Sequence, residues 1–424
     1  MIGSRVLNRD KLSKLQLIST NFKMVRKASL KIAKPLSEED MQIQSMPDAS
    51  PIKWHLAHTT WAFETFILKS HCNNYSVFNE SFEYLFNSYY NAIGEQYPRA
   101  HRGLLTRPTY KKILEYRQYV DLNMLEFIEN MSAENKSLSY LMLLMINHEQ
   151  QHQELMLTDI KHALFINPEY PVYKPSTSPE YITSPIKWKE YPADLYEIGH
   201  KNEYFYFDNE GPRHRFYLES YAIASRLVTC GEYLEFMKNG GYQHASFWLS
   251  EAWSSILSDK ITSPFYWIKK QGKWFHYTLS GLLPVELNSP VMHINYFEAN
   301  AYAASVGKRL PTEQEWEVSS RDASLEGSFR NLDQLHPSTA SGDDLQQMFG
   351  ELWQWTSSSY NAYPGFKVPE GAIGEYNGKF MVNQYVLRGG SIATPKDHIR
   401  PSYRNFFYPD ASWQYTGIRL AKTL

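Results

Sequence analysis

Apolar positions recur with helical spacing over the first 170 residues of the chain, and this pattern largely disappears afterwards. Four stretches without glycine or proline carry an apolar residue every three to four positions, which is typical of amphipathic helices. These stretches are 11–34, 52–68, 109–131 and 138–164. Helices of this length joined by loops predict a four-helix bundle over residues 1–170. Ser50 followed by Pro51 predicts the start of the second helix, with Ser50 as its cap.

The texture of the sequence changes after Asn167. Five prolines with serines and threonines between them lie at 168–185, which predicts a linker over 171–187. From about Trp188 onward, short aromatic segments, Gly-Gly pairs and frequent turns replace the helical pattern. Two short helices are expected there, at 294–306 and 312–319, the second capped by Thr312. The chain is therefore predicted to combine an α-helical domain with an irregular α+β domain over 188–424.

The connection between the second and third predicted helices, residues 73–108, is unusually long. Loops of this length in a compact domain are functional or disordered. Its sequence contains YLFNSYY and YPRAHRGLLTR, which is too rich in rings for a disordered segment. We therefore expect this loop to be ordered and to contribute to function.

Composition limits the possible functions. The net charge of −2 over 424 residues gives no basic surface for nucleic acid. No segment approaches 18 uninterrupted apolar residues, and the N-terminus lacks the apolar core of a signal peptide, so no membrane association is expected. Only two cysteines are present, which predicts no disulfide framework and a reducing, cytoplasmic setting.

A pair of histidines in the fourth predicted helix is the main candidate for chemistry. His148 and His152 are four residues apart, so they lie one turn apart on one face and can share a metal ion. Apolar residues continue that face, so two imidazoles would be buried there, which is costly without a partner. Gln151 lies beside the pair and could contact a bound molecule. The alternative is a pair of core histidines satisfied by other side chains.

A third ligand has to come from another helix. The second predicted helix carries His55 and His58, and the residue pattern alone does not choose between them. Three imidazoles leave open positions on Fe(II), as in a facial triad with histidine in place of the carboxylate. Zinc with a water molecule fits the same ligands. The segment also matches the His-Glu-x-x-His signature of zinc peptidases, in which Glu149 would be the general base.

Several segments together resemble one enzyme family. They are SPIKWHLAHTTWAFETF, YLFNSYYNAIG and HEQQHQELMLTDIKH in the first half, and FDNEGPRH, GGY, RLPTEQEWE, GEYNGKFMVNQYVLRGGS and IRPSYRNFF in the second. From about Met24 to Leu424 the chain resembles the ergothioneine-pathway sulfoxide synthases, which are non-haem iron enzymes. The resemblance implies a DinB-like four-helix bundle followed by a formylglycine-generating-enzyme-like domain of the C-type lectin class.

The resemblance also implies a reaction and its metal. Such an enzyme uses Fe(II) and O₂ to join the sulfur of cysteine to C2 of trimethylhistidine (hercynine) as a sulfoxide. The family's iron ligands fall on His58, His148 and His152, and Gln151 matches a residue that contacts the substrate imidazole. Tyr89 and Tyr90 match a tyrosine pair near the oxygen site, where a phenol can donate a proton as charge develops. The alternative is that both tyrosines are core rings.

The two organic substrates require different side chains. The quaternary ammonium of hercynine is best held by aromatic faces, for which Phe406, Phe407 and Trp413 are candidates. Asn405 is a candidate for its carboxylate. A sulfur donor's carboxylate suits arginine, and Arg99 and Arg102 match positions that hold the donor in relatives. Structural roles for these residues, in surface ion pairs or in a domain core, remain open alternatives.

Three rival functions follow from the same residues. The same chemistry could use γ-glutamylcysteine or a selenium donor, with residues 73–108 carrying the difference. A zinc hydrolase would need Glu149 to face the metal, although Glu149 is expected about 100° from the ligand face. Replacing Glu149 with glutamine is therefore expected to abolish a peptidase and largely spare a sulfoxide synthase. The third rival is a non-catalytic, metal-stabilised binding module.

Overall fold

The chain forms two compact units. The computed structural model describes residues 14–132, 134–176, 180–340, 342 and 344–424. The first unit extends to Ile160 and the second begins at Lys161, so the division lies inside helix α6 (Lys136–Ile166). Within the described residues, none of the helices has the length and apolar character of a membrane-spanning segment.

The first unit contains the four long helices that the apolar pattern predicts. The helix predicted from Lys11 begins at Lys14 among the described residues, and the second continues past Phe63 through a π-helical turn (Glu64–Leu68) and a short last turn. The helices are α1 (Lys14–Ala33), α2 (Ile52–Phe63), α3 (Lys69–His71), α4 (Ser81–Phe86), α5 (Tyr110–Asn130) and α6. All residues of α2 and of the π-helical turn are buried. Helix α2 is therefore the central element of the bundle, and it packs against α1, α4 and α5.

The start of α2 differs from the prediction. Its N-cap is Pro51, and no side chain caps the helix. Ser50 lies one residue too early to cap, and its hydroxyl instead accepts a hydrogen bond from Arg102 at 2.9 Å. Its backbone N–H donates to the Asp159 carboxylate at 2.8 Å. The prediction of Ser50 as a cap was wrong because a buried arginine uses the hydroxyl.

The long loop over 73–108 is ordered. It contains helix α4 and a 3₁₀ turn (Arg99–Leu104). Phe82 and Phe86 on α4 are buried, and the Phe82 ring contacts Tyr116 of α5 with 4.9 Å between ring centroids. Aromatic packing therefore holds this loop on the bundle, as its sequence predicts.

The second unit combines small sheets with short helices. The strands are β1 (Trp188–Tyr191), β2 (Asp194–Ile198), β3 (His214–Leu218), β4 (Tyr221–Ala224), β5 (Trp267–Lys270), β6 (Lys273–Thr278), β7 (Gly281–Pro284), β8 (Trp353–Ser359), β9 (Tyr385–Arg388), β10 (Asn405–Phe407), β11 (Thr416–Gly417) and β12 (Ala421–Thr423). One sheet has the order β1-β4-β12 and is antiparallel, and another has the order β10-β9-β8-β11, in which β11 is parallel to β8. The remaining strands form the sheets β2-β3 and β5-β6-β7.

Among the described residues, four α-helices accompany these sheets: α7 (Cys230–Lys238), α8 (Ser250–Asp259), α9 (Tyr296–Ser305) and α10 (Glu313–Ser320). The two helices predicted in this half are confirmed as α9 and α10. Thr312 caps α10, because its side chain accepts from the backbone of Glu315 while the Glu315 carboxylate accepts from Thr312. This reciprocal pair satisfies two backbone donors that the first helical turn leaves open.

A buried ion-pair cluster fixes the sheet that contains β10. The carboxylate of Glu313 on α10 accepts from Arg388 of β9 at 2.7 Å and from Arg404 at 2.9 Å. Burial alone would raise the pKa of Glu313, but the two arginines outweigh it and lower the pKa. Arg404 precedes β10 directly, so this cluster holds that strand in place.

Candidate metal centre

Three histidines of the first unit converge in space. His58 comes from α2, and His148 and His152 come from α6. One ring nitrogen of each lies within 4.8 Å of the others, and Nε2 of His58 is 3.2 Å from Nε2 of His148. His58 and His148 are buried, and His152 is half-buried. Among the described residues, this is the group of side chains that could hold a metal ion.

Contacts outside the group orient the ring of His58. Its Nδ1 donates to the backbone carbonyl of Phe86 at 2.6 Å. The ring also stacks on Trp54 of the same helix, with 4.7 Å between ring centroids and 7° between planes. A proton held on Nδ1 leaves the lone pair on Nε2, which is the atom that faces the other histidines.

His55 contacts a member of the group without belonging to it. Its Nδ1 is 2.8 Å from Nδ1 of His152, and its Nε2 is 3.0 Å from the carboxylate of Asp159. Of the two histidines that the sequence pattern left open, His58 therefore lies in the ligand group and His55 lies behind it.

The three histidines are neutral at physiological pH. Burial lowers the pKa of His148 to about 4. Burial and the neighbouring histidines lower the pKa of His58 and of His152 well below the usual range. A neutral imidazole has the free lone pair that a metal ligand needs.

Glu149 does not face the group. Its buried carboxylate accepts hydrogen bonds from Arg26 at 2.9 Å, Ser29 at 2.5 Å and Arg117 at 2.9 Å. Burial alone would raise its pKa, but the two arginines lower it to about 2. A carboxylate held in this way by Arg26, Ser29 and Arg117, away from the ligand face of α6, cannot act as the general base of a zinc peptidase at these histidines.

Three further predicted site residues of the first unit are Gln151, Tyr89 and Tyr90. Gln151 is half-buried on α6, between the two candidate ligands of that helix in sequence. Tyr90 is buried and Tyr89 is half-buried, and their rings stack with centroids 4.6 Å apart. Tyr90 also packs on Trp61, which in turn stacks on His58 with 5.5 Å between centroids. One aromatic ring therefore separates Tyr90 from a candidate ligand.

Arg99 and Arg102, which were both predicted to hold the carboxylate of the sulfur donor, differ in their surroundings in the structure. Arg99 is exposed and pairs with Asp48 across 3.5 Å. Arg102 is buried, lies over the Trp54 ring with 3.5 Å to its centroid, and donates to Ser50. Among the described residues, Arg102 forms no direct ion pair, although the carboxylate of Asp159 is close enough to raise its pKa, and its Nε makes no hydrogen bond. Burial lowers its pKa to about 9, so it still carries its charge at neutral pH.

The predicted hercynine-binding residues cluster around β10 in the second unit. Phe406 stacks on Tyr360 with centroids 4.0 Å apart, and Phe407 meets Trp413 edge-on at 6.2 Å. The Asn405 side-chain oxygen accepts from the backbone N–H of Phe406 at 2.9 Å. All three residues of β10 are half-buried. They form an aromatic cluster whose surfaces are partly covered by their neighbours.

Both halves of the chain match known protein families. Residues 192–343 and 336–424 match the family described as "Sulfatase-modifying factor enzyme 1-like domain", and these ranges cover more than half of the chain. The chain belongs to this family. Residues 21–156 match the DinB superfamily. The three histidines lie within this segment. The predicted fold class is thereby confirmed.

Curated relatives match nearly the full length of this family member. A protein of Mycolicibacterium thermoresistibile named hercynine oxygenase is 27% identical over 99% of the chain and 96% of its own length. The hercynine oxygenase of Mycobacterium tuberculosis is 28% identical over 91% of the chain and 93% of its own length. The "Ergothioneine biosynthesis protein 1" of Schizosaccharomyces pombe is 32% identical over 54% of the chain and 29% of its own length. The predicted resemblance is thus confirmed.

Two neighbours of the histidine group in the DinB segment were not predicted as functional. Asp159 is seven residues after His152, on the same face of α6, so the helical period could have indicated it. The Phe86 carbonyl is a backbone atom far away in sequence, and no side-chain pattern indicates it. The Phe86 carbonyl accepts from Nδ1 of His58, and the Asp159 carboxylate lies 3.0 Å from Nε2 of His55, which in turn contacts His152.

Proposed function

We propose that this protein is an iron(II)- and O₂-dependent sulfoxide synthase that joins the sulfur of cysteine to C2 of hercynine in ergothioneine biosynthesis. The observation that carries the proposal is the group of His58, His148 and His152, in a chain similar along almost its entire length to hercynine oxygenases. Its expected location is the cytoplasm. We expect it to act on small molecules and not on nucleic acid or at a membrane.

The donor set fits Fe(II). Three neutral imidazoles without a carboxylate leave positions open on a metal ion, and hydrogen bonds donated by Nδ1–H of His58 and of His152 leave Nε2 as the ligand atom. When bound, iron(II) supplies the redox chemistry that brings a thiol, an imidazole and O₂ to reaction. One O₂ accepts the electrons of both C–S bond formation and S-oxygenation, because one oxygen atom enters the sulfoxide and the other leaves as water.

The protein's own groups would hold the substrates and supply a proton. We assign the carboxylate of the sulfur donor to Arg102, since a buried guanidinium that forms no direct ion pair among the described residues favours an anion. Gln151 would contact the imidazole of hercynine. In the second unit, taken by itself, the rings of Phe406, Phe407 and Trp413 would suit a trimethylammonium group, and Asn405 would suit a carboxylate. Tyr89 or Tyr90 would donate a proton to oxygen as it is reduced.

Replacing Arg102 with leucine is expected to raise the KM for the thiol donor by about 10- to 100-fold, because a hydrogen bond to a charged group contributes about 1.5–3 kcal/mol. The KM for hercynine should change much less. Steady-state kinetics with each substrate varied in turn measures both effects. Arg99→Leu is the matched control, because Arg99 is exposed and paired with Asp48. Equal effects of the two substitutions would contradict the assignment of the donor carboxylate to Arg102.

One of two single substitutions, Tyr89→Phe or Tyr90→Phe, is expected to lower the rate of sulfoxide formation by about 100-fold or more, because general acids contribute about 10²–10⁴-fold. Each substitution removes only a hydroxyl, so the melting temperature should shift little. Single-turnover kinetics with O₂ measures the rate. Wild-type rates in both variants would refute the proton-donor role of the pair.

One mass-spectrometric assay tests the proposed function. The protein is loaded with Fe(II) without oxygen, hercynine and cysteine are added, and air is admitted. The expected product is the hercynine–cysteine conjugate with one added oxygen atom. A product only with γ-glutamylcysteine or a selenium analogue would correct the donor and keep the reaction. No product with any donor, together with tight zinc, would refute the iron enzyme in favour of a hydrolase or a binding module.

A further inference from the structure

A continuous hydrogen-bonded chain reaches His152 from behind. The backbone N–H of Ser50 donates to Oδ2 of Asp159 at 2.8 Å, and the same oxygen is 3.0 Å from Nε2 of His55. On the other side of its ring, Nδ1 of His55 is 2.8 Å from Nδ1 of His152. His55 and Asp159 are both buried, at 2% and 5% exposure, so these contacts are shielded from water.

The proton positions in this series of hydrogen bonds follow from whether each group can donate or accept. In the contact with Asp159, Nε2–H of His55 donates to the carboxylate oxygen. A His55 ring whose one proton is on Nε2 has a lone pair on Nδ1, which accepts from Nδ1–H of His152. His152 then carries its lone pair on Nε2.

Two of the three candidate ligands are thus oriented by different means. His58 donates its Nδ1 proton to the Phe86 carbonyl, which is fixed by the backbone. His152 is half-buried and donates to a side chain, which has to be held in place itself. Without His55, the ring of His152 could flip or adopt the other tautomer, and either change would remove the lone pair from the ligand position.

We propose that His55 is a positioning residue: Asp159 holds it so that its Nδ1 accepts from His152, which fixes the tautomer and ring orientation of this ligand and raises the affinity of the site for its metal. The inference deepens the proposed function and rests on it for the identity of the metal. His55 thereby contributes to metal binding although it is not one of the three candidate ligands.

The test compares two substitutions of His55 with the metal alone as the probe. His55→Phe keeps a ring and removes the acceptor, whereas His55→Asn places its side-chain oxygen where Nδ1 lies and so keeps an acceptor for His152. Removing the hydrogen-bond partner of a metal-ligating histidine typically costs about 10- to 100-fold in metal affinity. We therefore expect His55→Phe to weaken Fe(II) and Co(II) binding by about 10- to 100-fold, and His55→Asn to restore most of that loss.

The measurements are anaerobic competition titrations with a chelator and the visible spectrum of the Co(II) protein. The spectrum reports the geometry of the ligand set, which a merely structural role of His55 would leave unchanged. His71→Phe is the matched control, because His71 is exposed at the end of α3, which continues α2 through the π-helical turn. Melting of each variant without metal checks the fold, and His55→Ala replaces His55→Phe if the larger ring prevents folding.

Wild-type affinity and an unchanged Co(II) spectrum in His55→Phe would overturn the inference. So would His55→Asn binding metal as weakly as His55→Phe, because then the acceptor at Nδ1 would not matter. The failure of the proposed function is distinguishable: a wild-type protein that makes no sulfoxide, while His55→Phe still weakens metal binding, refutes the reaction and supports the positioning role.

Discussion

Replacing His148 with alanine is expected to abolish sulfoxide formation and to weaken metal binding by far more than the roughly 10- to 100-fold typical of removing a ligand's hydrogen-bond partner. His148 offers Nε2 at 3.2 Å from Nε2 of His58, at the centre of the group. Its loss leaves two imidazoles on different helices, and neither can replace the missing donor. Bound iron, measured after gel filtration, and the mass-spectrometric rate should fall together.

His162→Ala is the matched control for this prediction. His162 is buried on the same helix, and its ring stacks on Phe265 with 5.5 Å between centroids. Its removal is expected to lower stability without changing the affinity for Fe(II). Wild-type metal affinity and activity in His148→Ala would show that the three histidines are not the metal site.

The pair on α6 could be predicted from sequence because helical geometry is local. Residues four apart lie on one face of any helix, so the spacing of His148 and His152 predicted their proximity without knowledge of other elements. The third ligand could not be chosen in this way. Helix α2 is buried all round, so no polar face indicates which side meets α6. Only the resemblance to a family favoured His58 over His55.

The same limit explains the two features at which local patterns failed. Ser50 has the chemistry of a cap, but a hydrogen bond from Arg102, 52 residues away, occupies its hydroxyl. Glu149 completes a peptidase motif, but its partners Arg26 and Arg117 are 123 and 32 residues away. Motif spacing contains no information about partners at such distances.

In the second unit too, features formed by neighbouring residues could be predicted from the sequence, whereas pairings between distant segments could not. The box formed by Thr312 and Glu315 spans three residues, and it was predicted correctly. The pairing of β4 with β12, which brings Ile223 opposite Ala421, joins segments about 200 residues apart. An irregular α+β domain could be predicted from turns and short aromatic segments, but its strand order could not.

Replacing Glu149 with glutamine is expected to lower the free energy of unfolding of the bundle by about 3–5 kcal/mol, because it leaves two arginines buried without their shared carboxylate. Arg26 and Arg117 are almost completely buried, and both donate to Glu149 at 2.9 Å. The pH dependence follows the same ion pairs. Since the pKa of Glu149 falls from an ordinary value of 4.5 to about 2, its contribution is present above pH 4.5 and is lost as the pH falls towards 2.

Urea and acid unfolding of the metal-free protein, followed by circular dichroism, measures both effects without interference from metal loss. Glu154→Gln is the matched control, since Glu154 lies on the same helix and is only half-buried, and it should cost less than about 1 kcal/mol. Equal stability of Glu149→Gln and wild type would contradict the structural role of the carboxylate. The expected instability also changes the earlier distinction between a peptidase and a synthase. Activity lost in Glu149→Gln argues for a general base only if the metal-free variant is as stable as the wild type.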